Sequence, residues 1–451
     1  MRLFEVLLIL TSIPFLLWPL FAKGNRPKWV MAFPLLGLLF LLLHLLFEGY
    51  RWQMIPAYAL TAILFLYALW QWRRQLNEPQ NKRRSKLAVV LLALGGVLLV
   101  AITAVLPIAL PVPHLPEPTG PYHVGTVTYH WVDDSRQEIL GPEPGGPREL
   151  MVQIWYPAET AEGAETVPWH PDIKTAGPAL ANTLGLPPFL LDHIALSHTH
   201  SVADARLAET QDQYQVLIFS HGLGGVRMQN TYQMETLASQ GYVVASIDHT
   251  YGGAITIFPD GRVALLDLDA IDDDINTFGN TLIHIWVEDG RFVLDQLEQL
   301  NADDPDGRFT GHLRADKIGY FGHSTGGGTA YLFCLIDERC GAGVALDGWV
   351  EPISAEIAAQ PMTHPFLFLK AEDWSTPDNS AAIEIADENG QNPGSVITIP
   401  GTRHYNFSDV PYLSPLTHQM GLTGPANGRR ALATITNDAL SFFNDNLANP
   451  K

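Results

Sequence analysis

The sequence predicts an α/β domain, a mostly parallel sheet with helices on both faces, preceded by an all-α transmembrane bundle of about four helices. Three observations lead there. Four long apolar stretches crowd the first quarter of the 451 residues, each close to the ~20 residues a helix needs to cross hydrocarbon. Beyond residue 122, short β-branched or aromatic runs alternate with longer amphipathic ones, as strands joined by helical crossovers do. One of those runs enters a glycine-rich turn around Ser324 just before a helical pattern begins.

The apolar stretches cover 7–21, 30–47, 54–69 and 87–110. The first has no small-x-small cleavage signal, and three more follow it, so it reads as a span rather than a signal peptide. Basic residues near span ends stay on the cytoplasmic side. Lys23, Arg26 and Lys28 occupy the first loop, and Arg73, Arg74, Lys82, Arg83, Arg84 and Lys86 the third. With four spans these loops share one side, which turns everything after residue 110 outward, to the periplasm or the cell exterior. The bundle reads as a plain anchor (residues 1–110). His44, the ionisable residue well inside a span, sits near its end and has no obvious charged partner.

Prolines at 107, 111, 113, 116, 118 and 121 mark a semi-rigid linker, placed at 111–121, that excludes a helix or central strand. Charge divides at the same place. Residues 1–113 carry eleven basic and three acidic residues, +8, whereas the remainder carries 16 and 44, −28, for a total of −20. A surface so acidic disfavours nucleic-acid partners.

In the domain 122–451, strand candidates are 149–156, 214–220, 242–247, 317–321, 342–346, 365–370 and 395–399. Helix candidates are 229–239, 281–300, 326–337 and 430–446. The run 317–328, KIGYFGHSTGGG, passes from strand through Gly322-His323-Ser324-Thr325-Gly326 into a helix, the setting of a nucleophile elbow. The turn is tight enough to demand small neighbours, and Gly322, Gly326 and Gly327 supply them. A serine hydroxyl needs a base, and the base a carboxylate, later in the chain. His404, in the loop after the last strand candidate, fits best; His364 and His418 read as structural or surface residues. Two acids remain open, Asp347 ending one strand and Asp373 following the next, since both lie at C-terminal strand ends where such sheets place their sites. The oxyanion needs fixed N–H donors. Those of Thr325 and of Leu223, within the glycine-rich FSHGLGG of 219–225, are suited to it.

Four stretches, FSHGLGG (219–225), GHSTGG (322–327), ALDGW (345–349) and GTRHYNFSD (401–409), resemble the secreted and lipoprotein-associated platelet-activating-factor acetylhydrolases, calcium-independent serine lipases of the α/β-hydrolase fold. The resemblance spans nearly all of 122–445 and does not extend to the apolar segments. It implies Asp347 as the acid, Ser324 as nucleophile, His404 as base, and Leu223 and Thr325 as oxyanion donors. It also implies a lipid or small-ester substrate and chemistry without metal or organic cofactor. The chain departs from the family at 258–275, where acidic residues are added.

Other features weigh less. For the apolar stretch 178–196 the resemblance implies a lipid-facing helix beside the active-site mouth, and ordinary burial against the sheet fits it equally. Asp192, His193, His198 and His200 match no metal spacing. The groups Asp267, Asp269, Asp272 to Asp274 and Asp303, Asp304, Asp306 lack the ligand spacing of a calcium loop. Cys334 and Cys340 either close a disulfide, as an outward-facing domain permits, or leave Cys334 a buried apolar side chain.

Overall fold

A computed structural model of the chain describes residues 1–21, 26–77, 85–142, 144–159, 163–267, 274–391 and 394–447. Lys23, Lys82, Arg83, Arg84, Asp269, Asp272 and Asp273 lie outside these residues. The chain divides into two compact units: 1–113 with 413–416, and 114–412 with the remainder.

In the first unit, four of the described helical stretches are long and apolar enough to cross a membrane: Leu3–Phe21, Lys28–Glu48, Trp52–Arg74 and Lys86–Ala109. The last of these turns Leu91, Leu94, Leu98, Ile102 and Val105 outward, all exposed, an apolar surface that water would not tolerate at this extent. It also runs through Pro107, where the proline spacing starts the linker. The helix therefore ends later than the prolines suggest, continuing to Ala109 although Pro107 cannot donate to the carbonyl one turn before it.

Inside this bundle the sequence reading of His44 is corrected. Its Nδ1 lies 2.9 Å from the Glu48 carboxylate and its Nε2 2.6 Å from the Tyr58 hydroxyl. Glu5, fully buried, receives Arg51 Nε and Nη2 at 2.7 Å each and Arg2 Nη2 at 2.9 Å. Ligand atoms of Glu5, His44 and Glu48 lie within 4.8 Å of one another, yet two guanidinium groups already balance the two carboxylates. Buried charges persist only when matched in this way.

The second unit is built on a sheet whose strands are β1 (His123–Gln137), β2 (Pro147–Ala158), β3 (Thr166–Pro168), β4 (His198–Ala203), β5 (Tyr214–Ser220), β6 (Tyr242–Asp248), β9 (Leu313–His323), β10 (Cys340–Leu346), β11 (Phe366–Ala371) and β12 (Val396–Ile399); the short strands β7 (Ile255–Ile257) and β8 (Val263–Leu265) pair apart from it. The order is β12-β11-β10-β9-β5-β6-β2-β1-β4-β3. From β12 to β6 every pairing is parallel; β2 joins β6 and β1 antiparallel.

Strands β5 and β6 are apolar on both faces because both faces are covered. On one side Val216 and Ile218 meet Val287, Leu294 and Leu297 of helix Ile275–Ala302 and Leu332 of helix Thr325–Ile336. On the other, Leu217 and Phe219 meet Leu237 of helix Thr231–Ser239 and Ile435, Ala439 and Phe443 of helix Gly428–Leu447. Cys334 and Cys340 form a disulfide between the helix Thr325–Ile336 and β10. The stretch 178–196 divides: helix Ile173–Thr183 buries Ile173, Ala176 and Ala181, while Phe189 is 53% exposed.

Candidate active site

Because the central strands are parallel, their C-terminal ends form one edge, and the candidate residues Ser324, Asp347 and Asp373 follow strand ends there. β9 ends in His323, and Ser324 follows at φ 56°, ψ −120° before the helix Thr325–Ile336 starts. This backbone is costly for a residue with a side chain. It is held by bonds on both sides: the Ser324 amide donates to Leu346 O at 3.1 Å, and its carbonyl accepts from Gly327, Gly328 and Trp349. A Cβ on Gly326 would stand 2.1 Å from the Ser220 carbonyl oxygen, and one on Gly322 would stand 2.2 Å from that of Gly326. The glycines of the motif are thus steric requirements.

Asp347 follows β10 at φ 47°, one strand away from Ser324. Its Oδ1 accepts from the Ala371 amide at 2.8 Å, and its Oδ2 lies 2.7 Å from His404 Nδ1. A carboxylate only accepts, so Nδ1 carries the proton and Nε2 the lone pair. Asp373, the other acid left open by the sequence, is 69% exposed and receives Arg403 at 2.9 Å. The indole of Trp374 stacks on the His404 imidazole, centroids 3.7 Å apart and planes at 14°. The sequence reading missed Trp374, although its place directly after Asp373 at a strand end marks it as a residue of this edge.

The loop after β5 lies against Ser324: a Cβ on Gly222 would come within 3.1 Å of Ser324 Cβ. Gly224 takes φ +69° and donates to Gly252 O, while Gly225 donates to Gly222 O. Among the described residues neither the Leu223 nor the Thr325 amide is taken up by a protein acceptor, so both expected donors remain available. His221, by contrast, faces inward. Its Nδ1 donates to Gly222 O at 2.7 Å and its Nε2 accepts from the His249 amide. Burial lowers its pKa.

Beneath that loop lies a second Ser-His-Asp array. Ser220 Oγ and His249 Nε2 are 2.9 Å apart, and His249 Nδ1 is 2.9 Å from Asp289 Oδ2. Ser220, His249 and Asp289 are each wholly buried. Arg148 holds Asp289 with two bonds, and His249 stacks on Trp286 at 4.2 Å. Burial, opposed by Asp289, takes the His249 pKa down to about 3. This array fastens the floor of the site, since no substrate reaches it. The clue in the sequence is Asp289, an acid on the apolar face of an amphipathic helix.

The remaining candidates lie elsewhere. His418 Nδ1 is 3.1 Å from Thr423 O, and His364 precedes β11. His193, His198 and His200 each bond a backbone carbonyl. Asp304 accepts from the amides of Asp306, Arg308 and Phe309, shaping a turn.

With this geometry in place, comparison with known proteins is informative. Residues 109–261 and 296–450 match the family described as platelet-activating factor acetylhydrolase, isoform II. The chain belongs to that family. The platelet-activating factor acetylhydrolase of Cavia porcellus is 24% identical, with 73% of this chain and 77% of the relative aligned. A probable 1-alkyl-2-acetylglycerophosphocholine esterase of Arthroderma benhamiae is 26% identical over 66% of this chain and 76% of its own. A ferulic acid esterase from Streptomyces cinnamoneus superposes with a TM-score of 0.61 and 28% identity, covering 75% of this chain and 95% of that one. This acetylhydrolase-family chain is accordingly an esterase with an α/β-hydrolase fold.

Proposed function

We propose that the protein is a membrane-anchored, outward-facing serine esterase that removes short or oxidatively truncated acyl groups from phospholipids or similar lipid esters. The observation that carries this reading is the His404–Asp347 pair beside the strained Ser324 turn, in a chain of the acetylhydrolase family. Ser324 Oγ attacks the ester carbonyl while His404 Nε2 takes its proton. Asp347 steadies the imidazolium through Nδ1–H. The oxyanion is met by the Leu223 and Thr325 N–H groups. His404 then returns the proton to the departing alcohol or lysolipid, and a water deprotonated by His404 releases the acyl group.

Four apolar helices and the basic loops support anchoring with the catalytic part outside; a disulfide suits an oxidising compartment. Protease added to intact cells is expected to cleave the soluble part, and full protection would overturn the orientation.

The decisive experiment is a rate profile over diacyl phospholipids that differ only in sn-2 chain length, alongside soluble esters, with Ser324→Ala as control. Rates should fall steeply as the sn-2 chain lengthens, and Ser324→Ala should lower turnover by several orders of magnitude. Retained turnover in that variant would remove the mechanism. A second reading, a general carboxylesterase, draws on the likeness to the ferulic acid esterase; it predicts soluble aryl esters as the better substrates.

A further inference from the structure

We propose that Gln229 and His323 are positioning residues for ester hydrolysis, holding the oxyanion loop, the nucleophile turn and the loop of the general base in register through one directed chain of hydrogen bonds. The inference rests on Ser324, Asp347 and His404 acting as proposed above.

The direction of the chain follows from donor and acceptor chemistry alone. His323 Nε2 lies 3.1 Å from the His404 carbonyl oxygen, which only accepts, so Nε2 carries the proton. Burial, and then the neighbouring His404, hold the His323 imidazole neutral; its Nδ1 therefore has the lone pair. Gln229 Nε2, 3.0 Å away, donates to it and gives its other hydrogen to Asn230 Oδ1 at 3.0 Å. The amide oxygen is left facing the oxyanion loop, where it accepts from the Gly222 amide at 3.4 Å. No member of the chain can be reversed without leaving two donors or two acceptors facing each other.

Each end of the chain is one residue or less from a reacting group. Gly222 precedes Leu223, His323 precedes Ser324, and the His404 carbonyl belongs to the base itself. The same segment grips the far end of the base loop: Asn230 Nδ2 donates to Phe407 O at 2.7 Å, and the Asp409 amide to Gln229 O at 3.1 Å. The surrounding backbone is shaped to admit it. A Cβ on Gly225 would stand 2.1 Å from Gln229 Oε1, and one on Gly222 would stand 3.1 Å from His323 Nδ1.

The test uses the full-length protein in detergent and a short-chain p-nitrophenyl ester, with active sites counted by a fluorophosphonate. In His323→Asn, the amide oxygen replaces Nδ1 as acceptor for Gln229 and the bond to His404 O is lost. In His323→Gln, the amide nitrogen replaces Nε2 and that bond is kept. Gln229→Leu removes the link to Gly222. Displacements of about 1 Å cost on the order of 100-fold in rate. We therefore expect kcat per titrated site to fall roughly 10- to 100-fold in Gln229→Leu and His323→Asn, KM to change less than about threefold, and His323→Gln to recover most of the loss. A merely structural role would lower the titratable fraction and the melting temperature but leave kcat per site unchanged, and that result overturns the proposal. If Gln229→Leu does not fold, the two His323 variants decide: equal kcat per site in both also overturns it. Ser324→Ala, assayed in parallel, separates the two levels. Turnover surviving there defeats the triad, whereas its loss with normal kcat in the relay variants defeats the relay alone.

Discussion

Asp347 and Asp373 stand one strand apart at the same sheet edge, and what each touches sets them apart. Asp347 is buried, with one oxygen on the Ala371 amide and the other on His404. Asp373 is exposed and paired with Arg403, and such surface pairs contribute little. Asp347→Asn should leave His404 without an acceptor for Nδ1–H and lower kcat on the order of 10⁴-fold. Asp373→Asn should change it by less than about threefold. Steady-state kinetics on a soluble ester decides, and the reverse ranking would move the acid role to Asp373. The residue types were legible in the sequence because the chemistry demands them at strand ends. Residue pattern alone left the acid open, since two successive strand ends look alike, and only the family resemblance pointed to Asp347; in the structure β11 supplies the Ala371 amide that orients its carboxylate.

At the scale of elements, the Ser324 turn forms only because two segments far apart in sequence touch without side chains between them. Gly326 packs against the carbonyls of Ser220 and His221, so Gly326→Ala must push the helix away from β5. Overpacking of this kind costs about 1–3 kcal/mol or more. Thermal unfolding should show a lowered midpoint, and the variant should also lose its ester turnover; a midpoint and rate equal to those of the parent would refute the steric account. Strands β5 and β6 were readable to within a residue, and the helix Ile275–Ala302 was readable apart from its first six residues. Strand β1, fifteen residues long, was missed. Its HVGTVTYHWVDDSRQ is half polar and gains its strand character from the antiparallel pairing with β2, an interaction no local pattern carries. The short strands β3, β4, β7 and β8 escaped for the same reason.

At the scale of the whole molecule, the esterase unit buries more histidine than its acidic surface suggests. His221, His249, His170 and His323 are all held neutral by burial, His249 with a pKa of about 3 and His170 of about 4. The unfolded chain takes up protons on these rings near pH 6.5 while the folded one does not, so stability falls as pH drops from about 6.5 toward 4. Glu235 and Asp409 act in the opposite sense, because burial raises their pKa and the folded state then binds the extra proton. Four imidazoles outweigh two carboxyls, and the unfolding temperature of the full-length protein should decline between pH 7 and 5. A flat profile would show that the buried histidines gain no proton on unfolding.

The sequence alone determined the apolar spans, the alternation of strands and helices, the division of charge, and the Ser324 turn with His404 behind the last strand. These are properties of periodicity and of residues whose local backbone demands are extreme, so they survive without a third dimension. The tertiary structure decided which acid meets His404, that Trp374 stacks on its ring, that His44 has Glu48 for a partner, and that Ser220, His249 and Asp289 form a closed array rather than an active site. Each of these depends on burial and on contacts between residues remote in the chain. Whether a serine, histidine and aspartate do chemistry or merely hold a loop is settled by access to solvent, which only packing creates.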